Sequence, residues 1–533
     1  MKNYKKYLIE VGVVALFAII SVAYFWQPVM DGKVLSGHDH TGAVGSGVEM
    51  NEYREKHNGE RTRWTNTLFS GMPTYQMAPS YDSTDSLAEL KQLYSLYLPT
   101  VASYVFIMLL GFYIMLRCFN FRVWMAALGA VLWAFSSYYF IIIAAGHIWK
   151  LYTLAFIPPT IGGMALCYRG KRSWGIVVSA LFMALQIVSN HVQMTYYFLL
   201  PIFALSIGWL LSDLSREGVQ RWLKGSFAFA VGCLLGVAIN LSNLYHTWEY
   251  SKESMRGKSE LTHKTKNPAD QTSSGLERSY ITAWSYGIGE SFNMLVPNYM
   301  GSWSGDFNME AVDILQSSNV QNGLFNLAVD SFVDEISSNI PGVRRADIVA
   351  LLESGDEQTI QSVETIYSRY AQEAWSYASN YWGNQPYTAG PTYLGASVIF
   401  LAILGLMLLR RRDVVWVVVV SLFAILLAWG ANIIGFYEVM YDILPGYSSF
   451  RTVSMALVVV EWSAPFLAAM ALCALVKSEL SAKALLRRVY IAVGVVLLIV
   501  VAMIVTAGYG LEDIYATLGD KLWVEQLREA AYN

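Results

Sequence analysis

Residues 7–26 read YLIEVGVVALFAIISVAYFW, an apolar run that closes on Tyr24, Phe25 and Trp26. A helix of about 20 residues spans the hydrocarbon core of a bilayer, and aromatic rings prefer the interface where it surfaces. A cleaved signal peptide has a shorter apolar core and small residues at its cleavage site. The run therefore reads as a retained first membrane helix.

Outward from it, runs of spanning length follow at 99–116, 123–143, 150–168, 174–190, 193–211, 226–244, 393–409, 414–430, 453–476 and 489–507. Counted together they predict about eleven membrane helices, an all-α polytopic fold. Composition agrees: 55% of the 533 residues are hydrophobic and 14% are charged, where soluble proteins carry about 25% charged residues. The mean hydropathy is +0.38. A net charge of −3 gives no reason to expect nucleic acid as a partner. Cys118, Cys167, Cys233 and Cys473 all lie in or beside apolar runs, which argues against a disulfide framework or a thiolate metal site.

Lys and Arg collect in cytoplasmic loops. With Lys2, Lys5 and Lys6 inside, every second loop is basic: Arg117 and Arg122, then Arg169 to Arg172, Arg216 to Lys224, Arg410 to Arg412, and Lys477 to Arg488. The short loops between these carry only Lys150 and Arg451. This predicts a cytoplasmic N-terminus. The chain then divides into a first helix (1–26), an extracytoplasmic loop (27–98), helices two to seven (99–244), a large extracytoplasmic loop or small domain (245–392), helices eight to eleven (393–507) and an outer tail (508–533). Within 245–392, Ala346–Leu352 and Glu357–Tyr370 look helical.

All seven histidines fall on the outer side of this topology. Ser36-Gly37-His38-Asp39-His40 offers a carboxylate for base chemistry, or a divalent metal site with His38 and His40. In an extended strand the two histidines share a face and Asp39 points away; a plain polar loop is the bland alternative. Trp64 to Tyr75, with Ser70-Gly71-Met72-Pro73 at its centre, reads as a fixed turn. Gly146-His147-Ile148-Trp149-Lys150 could hold a phosphate, or Lys150 could simply snorkel from a helix end. Asn190-His191-Val192-Gln193 offers polar side chains to the same pocket, or Asn190 caps a helix. Tyr381-Trp382-Gly383-Asn384-Gln385-Pro386 pairs rings with amides, as sugar sites often do and as membrane interfaces do anyway, and Arg451 could bind a lipid phosphate. Glu461 lies within an apolar helix, where a hydrogen-bonded packing role is the simpler reading. No phosphate-binding or dinucleotide-binding Gly-rich loop occurs in a suitable context.

These motifs together resemble the YfhO family of bacterial membrane proteins: an acid soon after helix one, Ser70 to Pro73, Gly146-His-x-x-Lys150, Asn190-His-x-Gln193 and Tyr381-Trp-Gly-x-Gln-Pro386. That family is similar to glycosyltransferases of the GT-C fold, which take sugar from a polyprenyl-phosphate donor at the outer membrane face. The resemblance implies Asp39 as the base, with Glu49 and Arg54 further along the loop. It implies His147, Lys150 and Arg451 for the lipid-linked phosphate, and Asn190, His191, Gln193 and Trp382 for the sugar or a cell-envelope glycan or lipid acceptor. Family members are commonly longer, so the expectation is a short member or a fragment. The competing readings are a transporter or flippase of lipid-linked glycans, and a non-catalytic envelope assembly protein.

Overall fold

The computed structural model describes residues 2–35, 37–75, 81–257, 276–338, 340, 342–506, 518–519 and 521–532. It is helical almost throughout. The sheet it contains pairs two short strands, Trp64–Thr65 and Met72–Pro73. Among the described residues, eight helices are long and apolar enough to cross a membrane. A ninth crossing would be the pair Val123–Ala134 and Ser137–Ala144, bent by 49° at the break between them. Two of the expected spans are shorter helices, Arg172–Val188 and Ala396–Leu408. Each of the eleven apolar runs thus falls on helix, with eight of them long enough singly.

The chain forms two compact units. The first comprises Met1–Pro297, Asn384–Pro386 and Thr392–Val496. At its centre, Thr100–Cys118 and Val453–Val476 are mostly buried (89% and 78% of an 18-residue apolar stretch in each). Phe112 stacks on Trp133, and Trp462 on Phe466. Tyr7–Tyr24 and Arg216–Ala238 lie outside, 17% and 22% buried. They leave Leu8, Val11, Ile19, Phe227, Leu234 and Leu235 uncovered. Such continuous apolar surface suits lipid and not water. Small residues set the closest helix approaches: a Cβ at Gly232 would come within 2.8 Å of Ser179 Cβ, and one at Gly236 within 2.6 Å of Ala180 O. Glu10, the acid within the first apolar run, accepts hydrogen bonds from Tyr113 and Arg117. It thereby ties the first helix to Thr100–Cys118.

The 27–98 stretch is more structured than its reading as a loop. It carries helices His38–Ser46, Val48–Lys56 and Asp85–Tyr94. The hairpin around Gly71 is the expected turn. Gly71 has φ +121°, and the Trp64 ring covers it where a Cβ would stand.

The second unit comprises Asn298–Gly383, Tyr387–Pro391 and Leu497–Asn533. The two expected helices appear as Arg345–Glu353 and Glu357–Ala378. Met309–Gln316 and Ser318–Ser337 join them, with Asn308 and Ser317 accepting from backbone N–H groups at their N-termini. Helix Leu522–Tyr532, in the stretch expected as a tail, inserts Trp523, Val524 and Leu527 into a core with Ala311, Leu315, Leu324 and Ala374.

Candidate active site

Two connections in the first unit are built alike. Helix Ser137–Ala144 ends with Gly146 in the left-handed region (φ +85°), and the N–H groups of Gly146 and His147 bond back to Ile143 O and Ile142 O. Helix Arg172–Val188 ends with Asn190 at φ +58°. Gly and Asn are the residues that adopt this conformation at a helix end most easily. In each case a histidine follows and opens the next helix: His147 before Ile148–Tyr168, His191 before Val192–Ser212. The two motifs therefore deliver their polar side chains to the same end of the helix bundle.

A cavity of about 920 Å³ lies there, within the range of small-molecule sites. Asp39, His40, His147, Lys150, Asn190, His191, Gln193 and Arg451 all line it. The sequence motifs around residues 36–40, 146–150, 190–193 and 451 thus converge. The segment is neither an extended strand nor a plain loop but enters helix His38–Ser46, where alternate residues do not share a face. Gly37 makes the convergence feasible. A Cβ on Gly37 would stand 2.5 Å from Gly146 N, and one on Gly146 would stand 2.7 Å from His40 N. The two backbones touch, and Asp39 Oδ2 comes to 2.8 Å from His147 Nε2.

Lys150 is 5% exposed and makes no hydrogen bond or ion pair among the described residues. The Tyr138 ring, 5.9 Å from Nζ, is its neighbour. Asp39, across the same cavity, acts on it only through space and not as a contact ion pair; a buried ammonium with no anion in contact is costly, and the cavity is where one would sit. Arg451 stands at the rim, its guanidinium donating to Tyr280 Oη at 2.7 Å. Its backbone is held by Gln193, whose Nε2 donates to Arg451 O at 2.7 Å. Gln193 is thus a buried positioning group. Asn190 is chiefly a turn residue; its Oδ1 accepts from Asn243.

Burial, reinforced by Lys150, pushes the His191 imidazole down to about 3. His191 is neutral at physiological pH, and its buried Nδ1 has no partner among the described residues. His147 is also lowered, by burial first and then by Lys150, while Asp39 opposes the shift.

Two cavity cations escaped the sequence reading. Arg256, beyond helix Leu241–Ser251, lines the cavity and donates from Nε to Ser449 O at 3.1 Å. Lys91 lines it too, over the Tyr152 ring. Both lie in stretches where other charged residues surround them, so nothing in the sequence singled them out.

Other expected residues lie elsewhere. The Glu49 carboxylate accepts from Thr65 Oγ1 at 2.5 Å and from Asn66 N at 2.7 Å. These bonds hold it below the usual carboxylate range and anchor the hairpin. Arg54 is exposed on helix Val48–Lys56. Neither lines the cavity. Trp382 belongs to the second unit, half-exposed, its N–H bonded to Met300 O. The neighbouring Asn384 N–H and Gln385 amide instead bond to Glu290, a buried acid of the first unit. The His38 side chain lies outside the described residues. Among those described, no three His, Cys, Asp or Glu side chains come together to hold a metal.

Glu461 is buried, and Ser136 at the break of the bent helix pair donates to it. Comparison with protein-family models, curated proteins and solved structures finds no match.

Proposed function

We propose that this chain is a membrane glycosyltransferase that moves sugar from a polyprenyl-phosphate donor to a cell-envelope glycan or lipid. Lys150 is the observation that carries this reading. A buried, unpaired ammonium facing a large cavity calls for an anion, and a phosphate supplies it. Arg451 and Arg256 reinforce the demand, and Asp39 with His147 supplies groups for proton transfer beside it. Cations aimed at a leaving phosphate, next to a base, are what glycosyl transfer requires. The resemblance to the YfhO family and the GT-C fold rests on the quoted motifs and points the same way. In this reading all eleven apolar runs cross a bacterial inner membrane, the N-terminus is cytoplasmic and the cavity opens outward.

The flippase reading keeps one observation in its favour. Broken helices and intramembrane acids are features of transporters, and Glu461 meets Ser136 at such a break.

Donor binding tests the proposal. Purified protein in nanodiscs should bind a polyprenyl-phosphate sugar, and Lys150→Met should weaken that binding at least about 100-fold, the loss expected for a buried charge-assisted contact. Equal affinity in Lys150→Met contradicts the assignment of the cavity.

A further inference from the structure

The Asp39–His147 contact assigns the proton-transfer roles differently from the family resemblance, and the inference rests on the transferase reading. The resemblance makes Asp39 the base. In the structure its Oδ2 is 2.8 Å from His147 Nε2. An imidazole that donates from Nε2 to a carboxylate keeps its lone pair on Nδ1. We propose that His147 accepts the proton of the acceptor hydroxyl, and that Asp39 is its positioning residue.

The geometry is rigid where this role needs rigidity. Gly37 and Gly146 bring the two backbones into contact, so Asp39, two residues from Gly37, is fixed against the imidazole that follows Gly146. His147 also opens helix Ile148–Tyr168, and its N–H is held by Ile142 O at 2.8 Å. The backbone bond fixes where the side chain starts and the Asp39 contact orients the ring, as a base oriented by a carboxylate requires.

The charges around His147 suit a neutral base. Asp39 and His40 face the cavity from helix His38–Ser46, and Lys150 from the helix that His147 opens. Arg451, His191, Arg256 and Lys91 face it from four further segments. Burial, Lys150 and Arg451 favour the uncharged imidazole, and Asp39 favours the imidazolium. The balance leaves His147 neutral near pH 7, yet able to form an imidazolium stabilised by Asp39.

The step balances. The acceptor O–H bond breaks and its proton passes to His147 Nδ1. The hydroxyl oxygen forms a bond to the anomeric carbon. The bond from that carbon to the donor's phosphate oxygen breaks, and its electron pair leaves with polyprenyl phosphate. Lys150, Arg451 and Arg256 stabilise the added charge. The imidazolium then gives its proton to water.

The test is the pH dependence of kcat/KM for wild type, Asp39→Asn and His147→Gln, with histidine ¹⁵N NMR of the same proteins. In the wild type, activity falls on the acid side through an apparent pKa below the usual histidine value of about 6.5. Asp39→Asn removes the charge that raises His147, so the acid limb moves to lower pH and kcat falls about 100-fold. His147→Gln lacks the limb. In the wild type the NMR spectrum shows His147 protonated on Nε2 at pH 7, and Asp39→Asn mixes the tautomers. A wild-type limb retained in His147→Gln overturns the base assignment and leaves the transferase reading standing. So does an imidazolium at pH 7 in an active wild type. If the wild type transfers no sugar while the NMR shows the Nε2–H form, the transferase reading fails and the base role falls with it.

Discussion

At the scale of residues, the cavity separates two kinds of buried cationic side chain. Lys150 keeps a charge that asks for a ligand, whereas His191 gives up its charge to stay buried. The consequence for stability follows from linkage. The folded-state pKa of His191, about 3, lies below the unfolded value of about 6.5. Between these values the unfolded chain binds more protons, so stability is full above the unfolded pKa and falls as pH drops through the window. By pH 5 this one group removes about 2 kcal/mol. Thermal unfolding at pH 7.5 and pH 5 should show a larger loss for wild type than for His191→Asn; equal losses contradict it. Much of the cavity's polar lining was legible from sequence, because Asp39, His147, Lys150, His191 and Arg451 are polar residues beside or between the runs of an apolar chain. Arg256 and Lys91 were not. Their neighbourhoods hold Lys252, Glu253 and Glu89, and only folding decides which charge faces the cavity. Glu49 shows the reverse: a carboxylate in the right loop, committed to Thr65 and Asn66.

At the scale of elements, the site depends on two connections meeting backbone to backbone. Gly37→Ala would place a Cβ 2.5 Å from Gly146 N. The segments must separate, which opens the Asp39–His147 contact. The expected outcome is a loss of about 1–3 kcal/mol, the usual result of overpacking, and a fall in sugar transfer of at least about tenfold. Gly42, in the same helix, has open space where its Cβ would stand. Gly42→Ala should therefore keep wild-type activity and gain slightly in stability. Equal activity in both variants contradicts a role for the glycine contact. Long apolar periods located the membrane helices well, since burial or lipid exposure along a whole helix leaves a strong signal. The sequence leaves the 36–40 segment open between an extended strand, a turn and a polar loop, because five residues without a long apolar partner carry no period. Its helix is recognisable only once residues to Ser46 are seen to continue it.

At the scale of the whole molecule, hydropathy marked out the helical membrane architecture but not the division into two units. The 245–392 stretch contributes to both, and helix Leu522–Tyr532 completes the second unit's core from far along the chain. Such long-range pairing of short amphipathic helices leaves no local trace in sequence. The count of spans is blurred for a similar reason. Arg172–Val188 and Ala396–Leu408 are apolar but short, so composition marks them where length does not. Function is settled most directly by reconstituting wild-type protein in liposomes with polyprenyl-phosphate sugars and an envelope-glycan acceptor mixture, and following both sugar transfer and movement of the lipid between leaflets. The transferase reading expects labelled sugar on the acceptor without net passage of the lipid-linked sugar. Passage between leaflets with no sugar on the acceptor would contradict it and establish the flippase instead.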